Sequence, residues 1–395
     1  MFPIIEDAVK NALTIDNGLG EAYAALAMMH HDQGRIDEAE TAYQKAIELS
    51  PNYASAYQWY SQLIGDTDDP LRIQESIDLM QKAAKLDPRS RIIGLNLGRY
   101  YNDRGLYTLA ERQYRKVIEI HPDFEPGYAF LAGLYYVDMG QFDKALALLN
   151  KASALHPEFH IYNLLKGEVY GQLGDLEAEQ EVRDKMAGFG AEEWMLGFAD
   201  VHISVGKGNP TGTREIINWL LPKMRHMNFR RVRLGVIALA QGDIQLSRKI
   251  YLSVEPRWLE PDQWPGLMGS DFWGNQTGCI VAWLFLNSGD QEPGTALLEQ
   301  TTAYIEDSMP LLTEHHDRFF PETCYLTAGD TEKALLSIET QLAHNHLNDW
   351  YIVHQMPMYD QIRHEPRYQA AVAERERRIG VQRKTIETMA AEAQP

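Results

Sequence analysis

Punctuation at a fixed interval constrains this chain more than any other feature. Prolines close hydrophobic runs at Pro51, Pro88, Pro122 and Pro157, at separations of 37, 34 and 35 residues. Glycines stand between such runs at Gly105, Gly140, Gly174, Gly208 and Gly242, spaced by 35, 34, 34 and 34. Two independent marks that share one period describe a chain made of stacked copies of one structural unit. Between the marks, apolar residues recur at three- and four-residue steps, which is the helical signature.

Each unit therefore reads as helix A, a turn at Gly, helix B and a break near Pro. In the first complete unit helix A carries Tyr23, Leu26 and Ala27, Gly34 turns the chain, helix B carries Ala39, Tyr43 and Ala46, and Pro51 ends it. A later unit fills the same slots with Leu97, Gly98, Tyr101, Gly105, Ala110, Tyr114, Val117 and Pro122. Ala or Gly at a helix crossing lets the backbones approach, and a Tyr or Leu alongside fills the remaining gap. Gly supplies the left-handed residue that stops helix A, and Pro denies helix B another turn.

At these residues the chain resembles the tetratricopeptide repeat family, whose unit is a pair of antiparallel helices about 34 residues long. The resemblance runs from about residue 19 to 174. A weaker form continues through Leu234-Gly235, Gly242 and Tyr251, through Gly289 with Ala296-Leu297-Leu298, and through Tyr325, Gly329, Ala334 and Ile338. The implied fold is an all-α, right-handed superhelical solenoid of about nine units. It would comprise a regular array over 1–188, degenerate pairs over 189–345 and a capping segment with a helix over 346–395. Two places break the register: a three-residue excess around 65–70, and a Pro- and Trp-containing insertion at 256–271.

Residues 4–15, with Ile4, Ile5, Ala8, Val9, Ala12 and Leu13, read as a helix B without its helix A. Repeat arrays normally begin with a cap. The expectation is therefore that Met1 is a cut and that the polypeptide continues upstream. At the other end, Trp350-Tyr351-Ile352-Val353, Pro357-Met358-Tyr359-Asp360 and His364-Glu365-Pro366-Arg367-Tyr368 are similar to the closing segment of such arrays in multidomain bacterial signalling proteins. There the array follows a winged-helix DNA-binding domain or a nucleotide-cyclase domain.

Composition excludes several classes. The chain has 37 basic and 56 acidic residues, a net charge of −19, so a nucleic-acid phosphate backbone is repelled. No apolar run approaches the ~20 residues that cross a bilayer, and direct membrane insertion is not expected. Cys279 and Cys324 form no C-x-x-C pair, which leaves neither a zinc ribbon nor a disulfide scaffold; both read as core residues. The cytoplasm is the expected compartment, with an extracytoplasmic domain of an anchored protein as the alternative.

Nothing in the sequence forms a catalytic constellation. There is no nucleophile elbow, no P-loop and no dinucleotide fingerprint. The carboxylate pairs Asp66-Thr67-Asp68-Asp69 and Glu192-Glu193 read as a solvated loop and a helix start. Histidines at His30-His31, His315-His316, His344, His346 and His354 could hold a metal only if the fold gathered three of them, since adjacent helical residues point about 100° apart. No cofactor is implied.

Surface recognition remains. By the phase of the repeat, the groove-facing residues are Ala24, Met28 and His31; Leu95, Arg99 and Asn102; Phe130, Leu134 and Val137; and Leu164, Glu168 and Gln172. Ala24 and Met28 stand where family members that clamp a peptide's terminal carboxylate carry Lys and Asn. A floor of Met28, Leu95, Phe130 and Leu134 instead suits an apolar helix or an extended peptide. The bland alternative is that these residues pack against the next repeat. Seven of the eight tryptophans follow residue 190, and Trp258, Trp264 and Trp273 bracket the insertion. They read either as core or as the anchors of a ligand loop.

Charge is unevenly placed. Lys223, Arg225, Arg230, Arg231 and Arg233 fall in an acid-free stretch, and residues 363–384 are net basic. On an acidic body these patches either dock on acidic faces of the same chain or of a second copy, or, as is commoner, form a solvated charged face. The tail's apolar seam at Tyr368, Val372, Ile379 and Ile386 would cap the array or pair two copies. The expected function is a non-catalytic interaction or sensory module that binds a protein or peptide and regulates an attached effector. The alternative is a small-molecule sensor with its pocket around 258–283.

Overall fold

In the computed structural model, residues 2–65, 70–268, 274–308 and 321–392 are described. Asp66–Asp69, Trp273, His315-His316 and Met1 lie outside them. The described residues are helical with tight connections and contain no strand.

Contacts divide the chain into two compact units, 1–127 and 128–395. The boundary falls inside the stretch 1–188 read from sequence as one regular array. Unit 1 holds α1 (Phe2–Ile15), α2 (Gly20–Asp32), α3 (Ile36–Leu49), α4 (Ala54–Gly65), α5 (Pro70–Leu86), α6 (Arg91–Asp103) and α7 (Tyr107–Ile120). The division itself lies within α8 (Glu125–Gly133), which runs on as a single wide π turn, Leu134–Asp138. Unit 2 continues with α9 (Phe142–Leu155), α10 (Ile161–Leu173), α11 (Leu176–Gly188), α12 (Glu193–Gly206), α13 (Pro210–Leu220), α14 (Asn228–Ala240) and α15 (Ile244–Val254). It closes with α16 (Trp264–Met268), α17 (Gly274–Leu286), α18 (Gln291–Ser308), α19 (Glu322–Ala328), α20 (Thr331–Ala343), α21 (Trp350–Val353) and α22 (Pro366–Glu392).

Consecutive helices pack as hairpins: α2 on α3, α4 on α5, α6 on α7, α10 on α11, α12 on α13, α14 on α15, α17 on α18 and α19 on α20. The π turn that extends α8 packs on α9 in the same way. The physical basis is the one read from sequence. The turn glycines Gly34, Gly105, Gly140, Gly174, Gly208, Gly242, Gly289 and Gly329 all have φ between 55 and 96°, the left-handed region that ends a helix A cheaply only at glycine.

Size alternation appears three times at the same 16-residue offset. Ala27 faces the buried Tyr43 in one core cluster of unit 1. A Cβ on Gly98 would strike the Tyr114 ring, and one on Gly235 would come within 2.9 Å of Tyr251. Unit 2 adds a device that the turns at Gly34, Gly105 and Gly140 lack: an Asp or Asn follows the turn glycine and caps helix B. Asp175, Asn209, Asp243 and Asp330 accept from the backbone N–H groups of Ala178, Gly212, Leu246 and Lys333. Such a cap stabilises a helix by about 0.5–2 kcal/mol.

Two expectations change. Cys279 on α17 and Cys324 on α19 are joined in a disulfide, with Cα atoms 4.9 Å apart, so the chain does contain a cross-link. Both are buried as expected, but nothing local in a sequence links residues 45 positions apart. Ala24 does not face a groove; it is sealed against Ala46 and Ala56 in the core. The insertion folds as two 3-10 turns, Pro256–Leu259 and Pro261–Gln263, that lead into α16. Trp258 and Trp264 are buried there, and the Trp264 indole donates to the Trp258 carbonyl at 3.0 Å.

Candidate recognition sites

In unit 1 the helix A positions singled out from sequence divide by exposure. Met28 is 37% exposed and Arg99 is exposed, His31 and Asn102 are half-buried, and Leu95 is buried. The array thus presents a mixed apolar and cationic set from α2 and α6. The basis is local: Gly94 and Gly98 carry the crossing with α7, where a Cβ would meet Val117 and Tyr114, so the remaining faces of α6 are left to Arg99 and Asn102.

In unit 2 four of the six corresponding positions are covered. Leu134 is fully buried, Leu164 and Gln172 are 2% exposed, and Glu168 is paired with Arg230 at 3.3 Å. Phe130 and Val137 keep exposed edges of 39% and 37%. Over Gln172 the cover is the chain's own closing segment. Arg233 of α14 donates through both Nη atoms to the Asp349 carboxylate, each at 2.7 Å. Gln172 of α10 grips the same residue twice: its Nε2 donates to Asp349 Oδ1 at 2.9 Å, and its Oε1 accepts from the Asp349 backbone N–H at 3.1 Å. His202 of α12 meets the Tyr351 hydroxyl at 2.6 Å. Because Arg233 Nε donates to His202 Nε2 at 3.5 Å, the imidazole proton belongs on Nδ1 and the Tyr351 oxygen accepts it.

The electrostatics are those of a dry site. Burial holds the His202 imidazole well below its ordinary range, with Arg233 and Arg230 adding to it, so the ring is neutral. Burial also works against the Arg233 charge, yet the Asp349 carboxylate outweighs it and keeps the guanidinium firmly protonated. Beneath these groups burial pushes Glu179 up to about 8, with the nearby Glu168 charge contributing. Glu179 is therefore largely protonated at neutral pH.

Further along, Asn345 donates to the Met139 carbonyl, Gln382 bonds both Gly140 O and Phe142 N, and Arg383 donates to the Leu173 carbonyl. A Cβ on Gly140 would collide with the Asn345 carbonyl. The basic patches are absorbed in the same way. Lys223 pairs with Glu193, Arg367 with Glu332 and Glu339, and Arg377 and Arg378 with Glu374. Tyr368 and Ile379 of the tail seam are buried, and α22 packs on α20 and α9.

The phase of the repeat pointed to Gln172 and Glu168, but Tyr351, Asp349, His202 and Arg233 were not among the residues it placed in a groove. Arg233 was visible only as part of a basic run. Among the described residues no three His, Cys, Asp or Glu gather to hold a metal, and no helix is long and apolar enough to cross a membrane.

Three tetratricopeptide repeat models match the chain, at residues 20–53, 95–121 and 130–182. No curated protein sequence matches it. Among solved structures, Pseudomonas aeruginosa PilF aligns over 52% of this chain and 92% of its own, at 15% identity and TM-score 0.43. PilW, a type IV pilus biogenesis factor, aligns over 49% and 89%, at 22% identity and TM-score 0.43. YrrB, a tetratricopeptide repeat protein with an unusual peptide-binding site, aligns over 49% and 97%, at 18% identity and TM-score 0.38.

Proposed function

We propose that this chain, which carries tetratricopeptide repeats, is a non-catalytic module that binds a protein partner and serves as the regulatory part of a larger bacterial signalling protein. The observation that carries the binding surface is the open face of unit 1, where Met28 and Arg99 stay exposed on the helix A side while their neighbours are sealed in the core. An exposed methionine and an exposed guanidinium on the helix A side suit an amphipathic helix or an extended peptide carrying a carboxylate. The regulatory reading is supported by the closing segment, Trp350 to Tyr368, through its similarity to arrays in signalling proteins.

A photo-crosslinking amino acid placed at residue 28 or 99 of the full chain, in its native cells, tests the surface. The same protein should be captured from both positions and not from Lys116, an exposed helix B residue. Equal capture from Lys116, or none from 28 and 99, overturns the assignment. The Cys279–Cys324 disulfide supports the extracytoplasmic alternative for the compartment, because cytosolic thiols are kept reduced. Alkylation of the chain in intact cells reads this directly: two free thiols place it in the cytosol, none in an oxidising compartment.

A further inference from the structure

The closing segment has two dissimilar faces. Toward its own tail it is aromatic: His354 stacks between Trp350 at 4.3 Å and Tyr359 at 4.6 Å, with Tyr368 alongside. Toward the repeat helices it is polar and stereospecific, through one carboxylate and one phenol spaced two residues apart. Asp349 is held by Arg233 and Gln172, and Tyr351 by His202. Gln172 grips both the backbone N–H and the carboxylate of Asp349, the residue that caps the short helix α21, so it reads main chain and side chain together.

We propose that residues 345–355 occupy, in cis, a peptide site of unit 2. The ligand of that site is then a partner segment that presents a carboxylate and, two residues on, a phenol, and that displaces them. This site lies in the other unit from the surface proposed above and does not depend on it.

Three features leave the cis contact poised for exchange. A buried ion pair contributes little net stability, because desolvation of both charges offsets their attraction. Asp349 sits at φ 59°, in the left-handed region that costs a non-glycine residue free energy. Trp350 Nε1 and Asn348 Oδ1 are buried without a hydrogen-bond partner among the described residues, which subtracts again from docking. The polar contacts therefore specify strongly and hold modestly, while the buried Leu347, Trp350, Ile352 and Val353 supply the segment's hold. An external segment that repeats the Asp and Tyr while satisfying its other groups would compete.

The test uses the full chain and a capped synthetic peptide spanning Asn345–Met356. In the Asp349→Ala/Tyr351→Ala variant the tethered segment loses its hold, and the peptide should bind at least tenfold more tightly than to the unaltered chain. Adding Arg233→Ala should abolish that gain, and a peptide lacking the Asp should not bind. A variant that keeps its helicity but gains no affinity overturns the proposal, as does binding indifferent to Arg233. Hydrogen exchange on the unaltered chain gives a second arm that does not rely on the variants' folding. Amides of residues 349–353 should exchange at least tenfold faster than those of α10, and equal protection would make the segment a fixed structural part.

Discussion

The two units use the same repeat but leave opposite surfaces. Unit 1 follows the period closely, seals its crossings with Ala27 on Tyr43 and Gly98 on Tyr114, and leaves Met28 and Arg99 to solvent. Unit 2 keeps the 34-residue glycine spacing from Gly140 to Gly242 and the same crossing at Gly235 on Tyr251, adds Asp and Asn caps, and pairs Gln172, His202 and Arg233 with its own closing segment. A repeat that buries only small and aromatic residues at its crossings needs no further partner for its helix A face. A repeat that has placed Gln172, His202 and Arg233 on that face does, because buried polar groups must be paired. Polarity on the inner face thus creates the demand that the closing segment meets.

The largest expected effect is at that junction. Arg233→Ala leaves the Asp349 carboxylate buried without its cation and should cost about 3–5 kcal/mol in denaturant unfolding. Replacing the pair together, by Arg233→Met with Asp349→Leu, should cost far less. Arg99→Ala in unit 1, on an exposed side chain, should stay within about 0.5 kcal/mol. Comparable losses at Arg99 and Arg233 would erase the contrast between the units. Next in size is the cross-link. Replacing Cys279 and Cys324 by Ser should cost about 2–4 kcal/mol, and reductant should reproduce it. A melting point indifferent to reductant would show that the cross-link adds nothing to unit 2.

Much of this fold was legible because a tetratricopeptide unit is specified by neighbours. Gly34, Gly105 and Gly174 mark turns that they make themselves, and Tyr43 and Tyr114 sit one helix away from the small residues they cover. What could not be read is long-range. Gln172 and Asp349 are 177 residues apart, Arg233 and Asp349 116, and periodicity carries no information about such pairings. In the basic run 223–233, Lys223, Arg230 and Arg233 meet acidic partners within the chain, and Arg231 donates to the Ser253 hydroxyl. The tryptophans show the limit of composition: Trp258 and Trp264 are buried, with the Trp264 indole donating to the Trp258 carbonyl, which no count of aromatics distinguishes from a ligand loop.

Glycine substitutions sharpen the comparison within the helices themselves. Gly98→Ala drives a Cβ into the Tyr114 ring at a crossing and should cost about 1–3 kcal/mol. At Gly133 a Cβ would meet nothing within 4 Å, and its φ of −58° is ordinary helix. Gly133→Ala should therefore stabilise by about 0.5–1 kcal/mol through the lost flexibility of the unfolded chain. Outcomes of opposite sign at these two positions are what distinguishes a packing glycine from an incidental one. If both changes destabilise alike, the size-alternation argument fails for α6.

The smallest effect separates the units by the sign of their pH dependence. In unit 1, Glu40 accepts from Arg72 and Tyr60, and the Arg72 hydrogen bond holds its carboxyl below the usual range. Its contribution is present above pH 4.5 and is lost as pH falls through the lowered folded value. In unit 2, burial raises Glu179 from 4.5 to about 8, so the folded state keeps a proton that the unfolded state releases. Stability from Glu179 is complete below pH 4.5 and declines as pH rises toward about 8. Between pH 6 and 7 that decline is at most about 1.4 kcal/mol. Glu179→Gln removes the decline, so the difference between variant and parent should grow by that amount over this interval. Glu322, which burial raises to about 7, cancels in that difference because both proteins share it. Glu40→Gln should show no such growth from pH 6 to 7 and should instead lose its penalty only in acid. A flat difference for Glu179→Gln would mean that water reaches Glu179 beneath the closing segment, and the dry character assigned to that site would fall with it.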